Sequence, residues 1–152
     1  MNALKFASHS DVFCQSDTAL PSVFRMMVEN HCACVAVVES NAHRNPIGYV
    51  SEHTICLRTI VEGLNPRRLR AEDVMNPNVG TIRCDATVEH CLDVLARTAA
   101  ERLFLIDDDG AYCGTITGAD LRLAAARAAS TPKPEARRQY VPSNTLDWGI
   151  MY

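Results

Sequence analysis

The chain has 152 residues, a net charge of −3 and an apolar fraction of 47%. This composition is typical of a globular protein with a sizeable core, and the acidic balance argues against nucleic-acid binding, which requires a basic excess. No stretch approaches the roughly 18 apolar residues of a membrane span, and the N-terminus lacks the apolar core of a signal peptide. We therefore expect a cytoplasmic protein that contacts no membrane.

The cysteines also indicate a cytosolic protein. Their number, seven, is odd, and most of them lie inside apolar runs. A disulfide framework typically has an even number in a short secreted chain, so reduced thiols in the core of a cytosolic protein are the better interpretation.

The first half of the chain predicts a helix between short strands. Residues 1–10 are expected to form at most a short lead-in helix, and residues 11–14 a brief strand. Residues 33–38 are continuously apolar and predict a buried strand that pairs with 47–50 across a polar loop. Helical spacing places five apolar residues on one face of the helix between them: Leu20, Val23, Phe24, Met27 and Val28.

A second helix is expected from Glu52 to Glu62, where Gly63 ends it. Residues 64–78 then form a polar connector with one helical turn at 71–75.

The second half repeats this order. Residues 81–82 predict a strand, and a helix is expected to begin at Asp85. Strands at 102–106 and 112–116 flank a turn, and an alanine-rich helix runs to Ala129. The tail that follows contains three prolines but also Trp148, so docking of the tail on the body or a second subunit and a free tail both remain open.

Matching residues in the two halves indicate an internal duplication. Asp17 and Asp85 lie 68 positions apart, whereas Gly48 and Gly114 lie 66 apart, and the difference falls in a hairpin loop, where insertions concentrate. Each copy reads as β-α-β-β-α, and one copy covers the open sheet face of the other. The predicted class is α+β, with two units packed pseudo-symmetrically.

The strand–turn–helix stretch at 112–123 carries the clearest candidate site. Thr117 is placed to cap the last helix, and Asp120 stands three residues later, as in a capping box. The free N–H groups and partial positive charge of a helix start attract anions. These residues therefore predict either a helix cap alone or a site where Thr117 meets a phosphate and Asp120 a sugar hydroxyl.

Taken together, the motifs resemble a tandem pair of CBS domains, the Bateman module, over roughly residues 10–128. The most specific stretches are Asp73–Met75, Arg102–Asp107 and Gly114–Asp120. The resemblance divides the chain into five parts. These are a lead-in at 1–9, a first CBS domain at 10–63, a connector at 64–78, a second CBS domain at 79–129 and a tail at 130–152.

The resemblance implies a regulatory module rather than an enzyme, with no required cofactor. Its ligand would be AMP, ADP, ATP or S-adenosylmethionine, held in a cleft between the copies. By the family's pattern Thr117 faces the phosphate and Asp120 the ribose. Arg102 stands where some members carry a phosphate-contacting base, and Thr81 borders the adenosine.

The equivalent first site is expected to be degenerate. Ser51 keeps the hydroxyl, but Thr54 replaces the aspartate and loses the carboxylate that accepts from two ribose hydroxyls. Glu52 adds a negative charge where a phosphate would bind.

Two departures leave a second function open. Many family members have proline where this chain has Ala36 and Phe104, and a bulky Phe104 in the cleft would narrow it. The alternative is a ligand-free dimerisation or interaction scaffold. The resemblance favours a homodimer in either case, and the sequence does not identify a protein partner.

Other chemistry is weakly supported. Cys32 and Cys34 beside His31 lack the second ligand pair of a zinc finger, and His90-Cys91 has no orienting acid. The acidic turn at 107–110 is too short for a calcium loop. We expect no metal site and no catalytic residues.

Overall fold

The computed structural model describes residues 2–9, 11–98 and 100–130. The interpretation of the tail falls almost wholly on residues 131–152, which lie outside the described part of the chain.

The first copy forms a three-stranded sheet with helices on one face. Strands β1 (Phe13–Gln15), β2 (Cys34–Val38) and β3 (Pro46–Ser51) lie in that order, with β1 parallel and β3 antiparallel to β2. Helix α1 (Leu20–Glu29) connects the parallel strands, and α2 (Glu52–Cys56) follows β3 directly.

The second copy repeats this topology. Its elements are β4 (Thr81–Arg83), α4 (Val88–Thr98), β5 (Arg102–Ile106), β6 (Tyr112–Thr117) and α5 (Gly118–Ala129). The sheet order is β4-β5-β6, and the pairing directions match those of the first copy. The α+β duplication predicted from the sequence is therefore confirmed.

Alternation along β2 explains why the whole strand is buried. Val35 and Val37 pack against α1 in the core of the first copy. Cys34, Ala36 and Val38 point the other way and join Phe104 and Tyr112 of the second copy in a shared central core. Side chains alternate between the two faces of a strand, so the two sheets meet face to face with their helices on the outside.

The segment before each copy packs on the other copy. A 3-10 helix at Ala3–Phe6 places Ala3 in the core of the second copy, where its N–H donates to Ala86 O at 2.9 Å. Helix α3 (Ala71–Val74) in the connector likewise places Ala71 in the core of the first copy, where its N–H donates to Thr18 O at 2.8 Å. These crossed segments tie the copies together.

Two details of the predicted helices are wrong. Phe24 and Val28, assigned to the buried face of α1, are 48% and 59% exposed, because Leu20, Val23 and Met27 already fill the space against the sheet. Helix α4 begins at Val88 instead of Asp85, since the Thr87 hydroxyl accepts the His90 N–H at 3.1 Å and caps it there.

The predicted helix at 52–62 divides into two parts. After α2, residues Leu57–Val61 form a π-helix, and neither part contains a buried residue. Arg58 stands where the second copy has the buried Ala124, so a charge replaces the side chain that would pack on the sheet. Gly63, at φ +72°, ends the segment as predicted.

Among the described residues, no helix is long and apolar enough to cross a membrane.

Candidate functional site

Thr117 and Asp120 form a capping box at the start of α5. The Thr117 hydroxyl accepts the Asp120 N–H at 3.1 Å, and Asp120 Oδ2 accepts the Thr117 N–H at 3.2 Å. The Thr117 hydroxyl also donates to Asp120 Oδ2 at 2.7 Å. This arrangement is compatible both with a helix cap alone and with a ligand-binding site.

The second carboxylate oxygen of Asp120 remains available. Within the described part of the chain, no hydrogen-bond donor reaches Oδ1, and the residue is exposed. A carboxylate has about four acceptor positions. Capping the helix therefore leaves Asp120 free to accept further hydrogen bonds.

Two arginines face the same helix start. Arg102, Arg122, Thr117 and Gly118 line a cavity of about 720 Å³, which we call the α5 cavity. A Cβ added at Gly118 would stand 3.1 Å from Arg122 Nη1, so the guanidinium lies directly over the glycine. Among the described carboxylates, none comes within 4.0 Å of either guanidinium. The cavity thus presents two cations, one carboxylate (Glu101) and a helix start, whereas Asp120 stands next to Ala119 at its edge and does not line it.

A larger cavity of about 820 Å³ lies between the copies, and we call it the inter-copy cavity. Ser51–Thr54 of the first copy form one side, and Asn76, Asn78, Thr98 and residues 100–102 form the other. Tyr49 and Phe104 form an aromatic wall, with ring centroids 5.7 Å apart. Arg102 lines both cavities.

The first helix start differs from the second in its free acceptors. Thr54 Oγ1 accepts the Ser51 N–H at 2.9 Å and donates to Ser51 O at 3.0 Å, so its single oxygen is used by the cap. Glu101 and Arg102 line both cavities, but the inter-copy cavity adds the carboxylate of Glu52, whereas the α5 cavity adds the guanidinium of Arg122. This cavity is therefore less favourable to an anion than the α5 cavity.

Thr81 and Phe104, the other two residues that the sequence analysis associated with the cleft, differ in their relation to the cavities. Thr81 is exposed, and its side chain lines neither of these two cavities; the residues just before it, Asn78–Gly80, line the inter-copy cavity instead. Phe104 is fully buried and forms a wall of that cavity without filling it.

Sequence reasoning missed Arg122 and Asn76. Arg122 lies four residues after Gly118, one helical turn along α5, and this spacing was a usable signal. Asn76 pairs with Tyr49 across an antiparallel bridge, and its amide donates to the Tyr49 hydroxyl at 3.0 Å. That contact joins residues 27 positions apart, so no local pattern indicated it.

The thiol near the site is not a nucleophile. Burial raises the pKa of Cys34 to about 11, although the neighbouring Arg102 guanidinium acts in the opposite direction. A thiol with this pKa is almost wholly protonated near neutral pH.

Comparison with known families gives one clear match. The model for the CBS domain matches residues 5–58 and 71–127. The chain is 28% identical over 117 residues to the Methanocaldococcus jannaschii protein MJ0450, and 27% identical over 106 residues to MK0525 of Methanopyrus kandleri. These matches cover 77% and 70% of this chain, but only 62% and 53% of those proteins.

Solved structures share the fold. TA0289 of Thermoplasma acidophilum, described as a CBS domain protein, has a TM-score of 0.68 at 25% identity, over 85% of this chain and 71% of that one. CBSX2 of Arabidopsis thaliana, solved in complex with AMP, has a TM-score of 0.66 at 19% identity, over 85% and 98%. A hexameric CBS-CP12 protein from bloom-forming cyanobacteria has a TM-score of 0.71 at 16% identity, over 88% and 76%.

Proposed function

Because this chain belongs to the CBS-domain family and carries the domain as a tandem pair, we propose that it is a regulatory module that binds an adenosine nucleotide and transmits that state to a protein partner. The observation that carries the proposal is the α5 cavity, where two arginines that form no ion pair with any described carboxylate face a helix start. No catalytic role is needed to explain any of these residues.

The phosphate is assigned to the start of α5. Arg102 and Arg122 provide charge-assisted donors, which bind phosphate more strongly than neutral ones. The helix dipole adds to the attraction. AMP, ADP and ATP fit this arrangement better than S-adenosylmethionine, which carries no phosphate.

Asp120 is assigned to the ribose through Oδ1, while Oδ2 keeps the cap. Thr54 has no second oxygen and no negative charge to offer, which supports a degenerate first site at Ser51 and Thr54. Asp120 and Thr81 both lie outside the linings of the two cavities, but Asp120 is hydrogen-bonded to Thr117, which lines the α5 cavity. Thr81, at the edge of the inter-copy cavity beside Gly80, keeps its proposed place beside the adenosine as the weakest assignment. The AMP complex of CBSX2, which shares the fold, supports AMP as the first ligand to test.

Calorimetric titration with AMP tests this assignment. Asp120→Ala removes an acceptor from the ligand and should cost about 1–3 kcal/mol of binding free energy, or about five-fold to more than 100-fold in affinity. Thr54→Ala, at the same position of the other copy, is the matched control and should bind AMP like the wild type. Melting is measured separately, since loss of the cap costs about 1 kcal/mol of stability.

Equal affinity of the wild type and the Asp120→Ala variant would refute the assignment of the ribose. Weaker binding by Thr54→Ala alone would move the ligand to the inter-copy cavity. If AMP, ATP and S-adenosylmethionine all failed to raise the melting temperature, the second candidate function, a ligand-free scaffold, would be favoured. The observation that supports it is the stacking of Phe104 on Tyr49, which joins the two copies by packing and requires no ligand.

We also propose that the protein works as a homodimer. The hexameric assembly of the CBS-CP12 protein supports self-association as a property compatible with this fold.

A further inference from the structure

The connector between the two copies carries a group of arginines that no described carboxylate neutralises. Arg67, Arg68 and Arg70 are close together in sequence and all exposed, and we call them the connector arginines. Among the described residues, no carboxylate oxygen comes within 4.0 Å of any of their guanidinium groups. They concentrate positive charge on one short segment of a chain whose net charge is −3.

The backbone holds these arginines on an ordered turn. Asn65 Oδ1 accepts the Arg67 N–H at 3.0 Å and opens a 3-10 turn at Pro66–Arg68, which packs against α1. Asp73 Oδ2 accepts the Arg70 N–H at 2.8 Å and fixes the chain just after the turn. In the described part of the chain, the connector arginines contribute only main-chain groups to hydrogen bonds. Their side chains therefore stand on a fixed turn and are available to a partner.

The other copy shows that the fold does not need the charge of Arg70. Arg70 forms an antiparallel bridge with Ala19, and Asn2 forms the equivalent bridge with Thr87. Both members of the second bridge are offset from the first by the same 68 positions that relate the two copies. A neutral residue thus fills this position in the duplicated fold, and the arginine is a feature of one copy.

A fourth arginine, Arg25, lies on the helix beside the turn. It is exposed on α1 and forms no ion pair with a described carboxylate. Its counterpart in the second copy is Asp93 on α4, which pairs with Arg97 at 2.9 Å. The unpaired positive charge therefore extends from the turn to α1, and the equivalent helix of the second copy does not share it.

We infer that the connector arginines bind a carboxylate-rich segment of a protein partner. A guanidinium donates two parallel hydrogen bonds to one carboxylate, and such charge-assisted bonds are stronger than neutral ones. A turn that is already ordered loses little further entropy on binding. Arginine is also enriched at protein interfaces, where it often contributes much of the binding energy.

Nucleic acid fits the same arginines less well. An extended polyanion binds to a broad basic surface, whereas here Glu72 and Asp73 follow the connector arginines directly and are exposed. A few carboxylates of a short protein segment can be confined to the turn, where they meet only the guanidinium groups.

This inference rests on the proposed function, in which the module passes its state to a protein partner, and it names the chemistry of that partner. Asn76 and Asn78, a few residues further along the connector, line the inter-copy cavity. The surface assigned to the partner and the space between the copies are therefore joined by one short segment.

Nuclear magnetic resonance titration of the full, isotope-labelled chain tests the inference. The probe is a short peptide in which three adjacent glutamates are flanked by glycine and serine. At low ionic strength it should shift the amide signals of residues 65–71, and added salt should weaken the binding. The combined variant Arg67→Gln, Arg68→Gln and Arg70→Gln should bind the peptide about ten-fold more weakly or worse.

A second combined variant is the matched control. Arg83→Gln, Arg97→Gln and Arg127→Gln remove the same charge from exposed positions of the second copy and should leave the affinity for the peptide unchanged within about two-fold. The same peptide with glutamine in place of each glutamate should not bind. Unchanged thermal unfolding verifies that both variants keep the fold.

The outcomes separate the inference from the proposed function. A wild type that binds AMP but not the glutamate peptide would overturn the inference alone, and so would equal losses of affinity in the two combined variants. A wild type that binds the peptide but no nucleotide would overturn the proposed function alone. Tighter binding of a single-stranded oligonucleotide than of the peptide, lost in the connector variant, would overturn the protein partner in favour of nucleic acid.

Discussion

At the level of single residues, Asp120 shows that a helix cap and a ligand site are compatible. Its Oδ2 atom satisfies the backbone at Thr117, and Oδ1 is left without a described donor. Thr54 has a single side-chain oxygen, and the cap uses its proton and one of its two acceptor positions. The substitution of aspartate by threonine between the copies thus removes the free carboxylate oxygen while keeping the helix start.

Arg122 offers a prediction about phosphate. We expect Arg122→Gln to weaken binding of AMP by about ten-fold, on the scale of a lost charge-assisted hydrogen bond, while binding of adenosine changes little. Arg127→Gln is the control, because Arg127 lies on the same helix and does not line the α5 cavity. Titration with both ligands measures the difference, and an equal loss of affinity for adenosine would contradict a phosphate-specific role.

The buried thiols predict a loss of stability at high pH. Burial raises the pKa of Cys14 to about 12 and of Cys34 to about 11, from the ordinary value of 9.0. The unfolded state therefore loses these thiol protons at a lower pH than the folded state does. Their contribution to the free energy of unfolding is complete below pH 9 and is lost as the pH rises toward 11 to 12. Urea unfolding at pH 8, 9 and 10 should show a falling free energy of unfolding.

The control for this prediction is the Cys34→Ala variant. Its free energy of unfolding should fall less steeply between pH 8 and 10 than that of the wild type. Identical slopes in the two proteins would show that Cys34 does not carry the effect.

At the level of elements, α2 and α5 occupy equivalent places in the two copies but differ in length and in how they pack on their sheets. Helix α5 packs Leu121 and Ala124 onto its sheet, whereas Arg58 replaces the small residue in the first copy. Thr59 adds a hydrogen bond from its hydroxyl to Ile55 O at 2.7 Å, and such bonds to the preceding turn tend to bend helices. Together these residues account for the change to a π-helix at Leu57.

A reciprocal pair of variants tests this explanation. Ala124→Arg forces a charge into a fully packed site and should destabilise the fold by about 3 kcal/mol or more. Arg58→Ala removes only an exposed ion pair with Glu62 and should change stability by less than about 1 kcal/mol. Denaturant unfolding measures both, and similar effects at the two positions would contradict the assigned difference in packing.

At the level of the whole molecule, three cores are arranged in series. Each copy has its own core between helices and sheet, and the central core between the two sheets contains residues of both. Phe104 is the largest fully buried side chain there. It stacks on Tyr49 of the first copy and lies 6.3 Å from the ring of Tyr112. Cooperativity between the copies should depend on this residue.

Phe104→Ala should lower the free energy of unfolding by about 3–5 kcal/mol and broaden or split the unfolding transition. The neighbouring Leu103 points to the opposite face and packs only in the core of the second copy. Leu103→Ala should therefore destabilise the protein while the transition stays single. Calorimetry distinguishes the two cases, and a single sharp transition in Phe104→Ala would show that the copies are coupled elsewhere.

Local patterns determined the elements of this protein. Apolar runs and their spacing identified each strand of the two sheets, and the fixed offset between the halves established the duplication. Thr117 and Asp120 were found because a capping box is a contact between residues three apart in sequence. Gly63 was found because a helix end requires a residue that tolerates a positive φ.

Tertiary structure alone decided how these elements meet. The crossed packing of Ala3 and Ala71, the bridge from Asn76 to Tyr49 and the approach of Arg102 to both cavities join distant parts of the chain. Spacing along one helix or strand carries no information about such contacts. The exposure of Phe24 and Val28 has the same cause: periodicity indicates which residues share a face, but the width of the surface beneath a helix decides how many of them it covers.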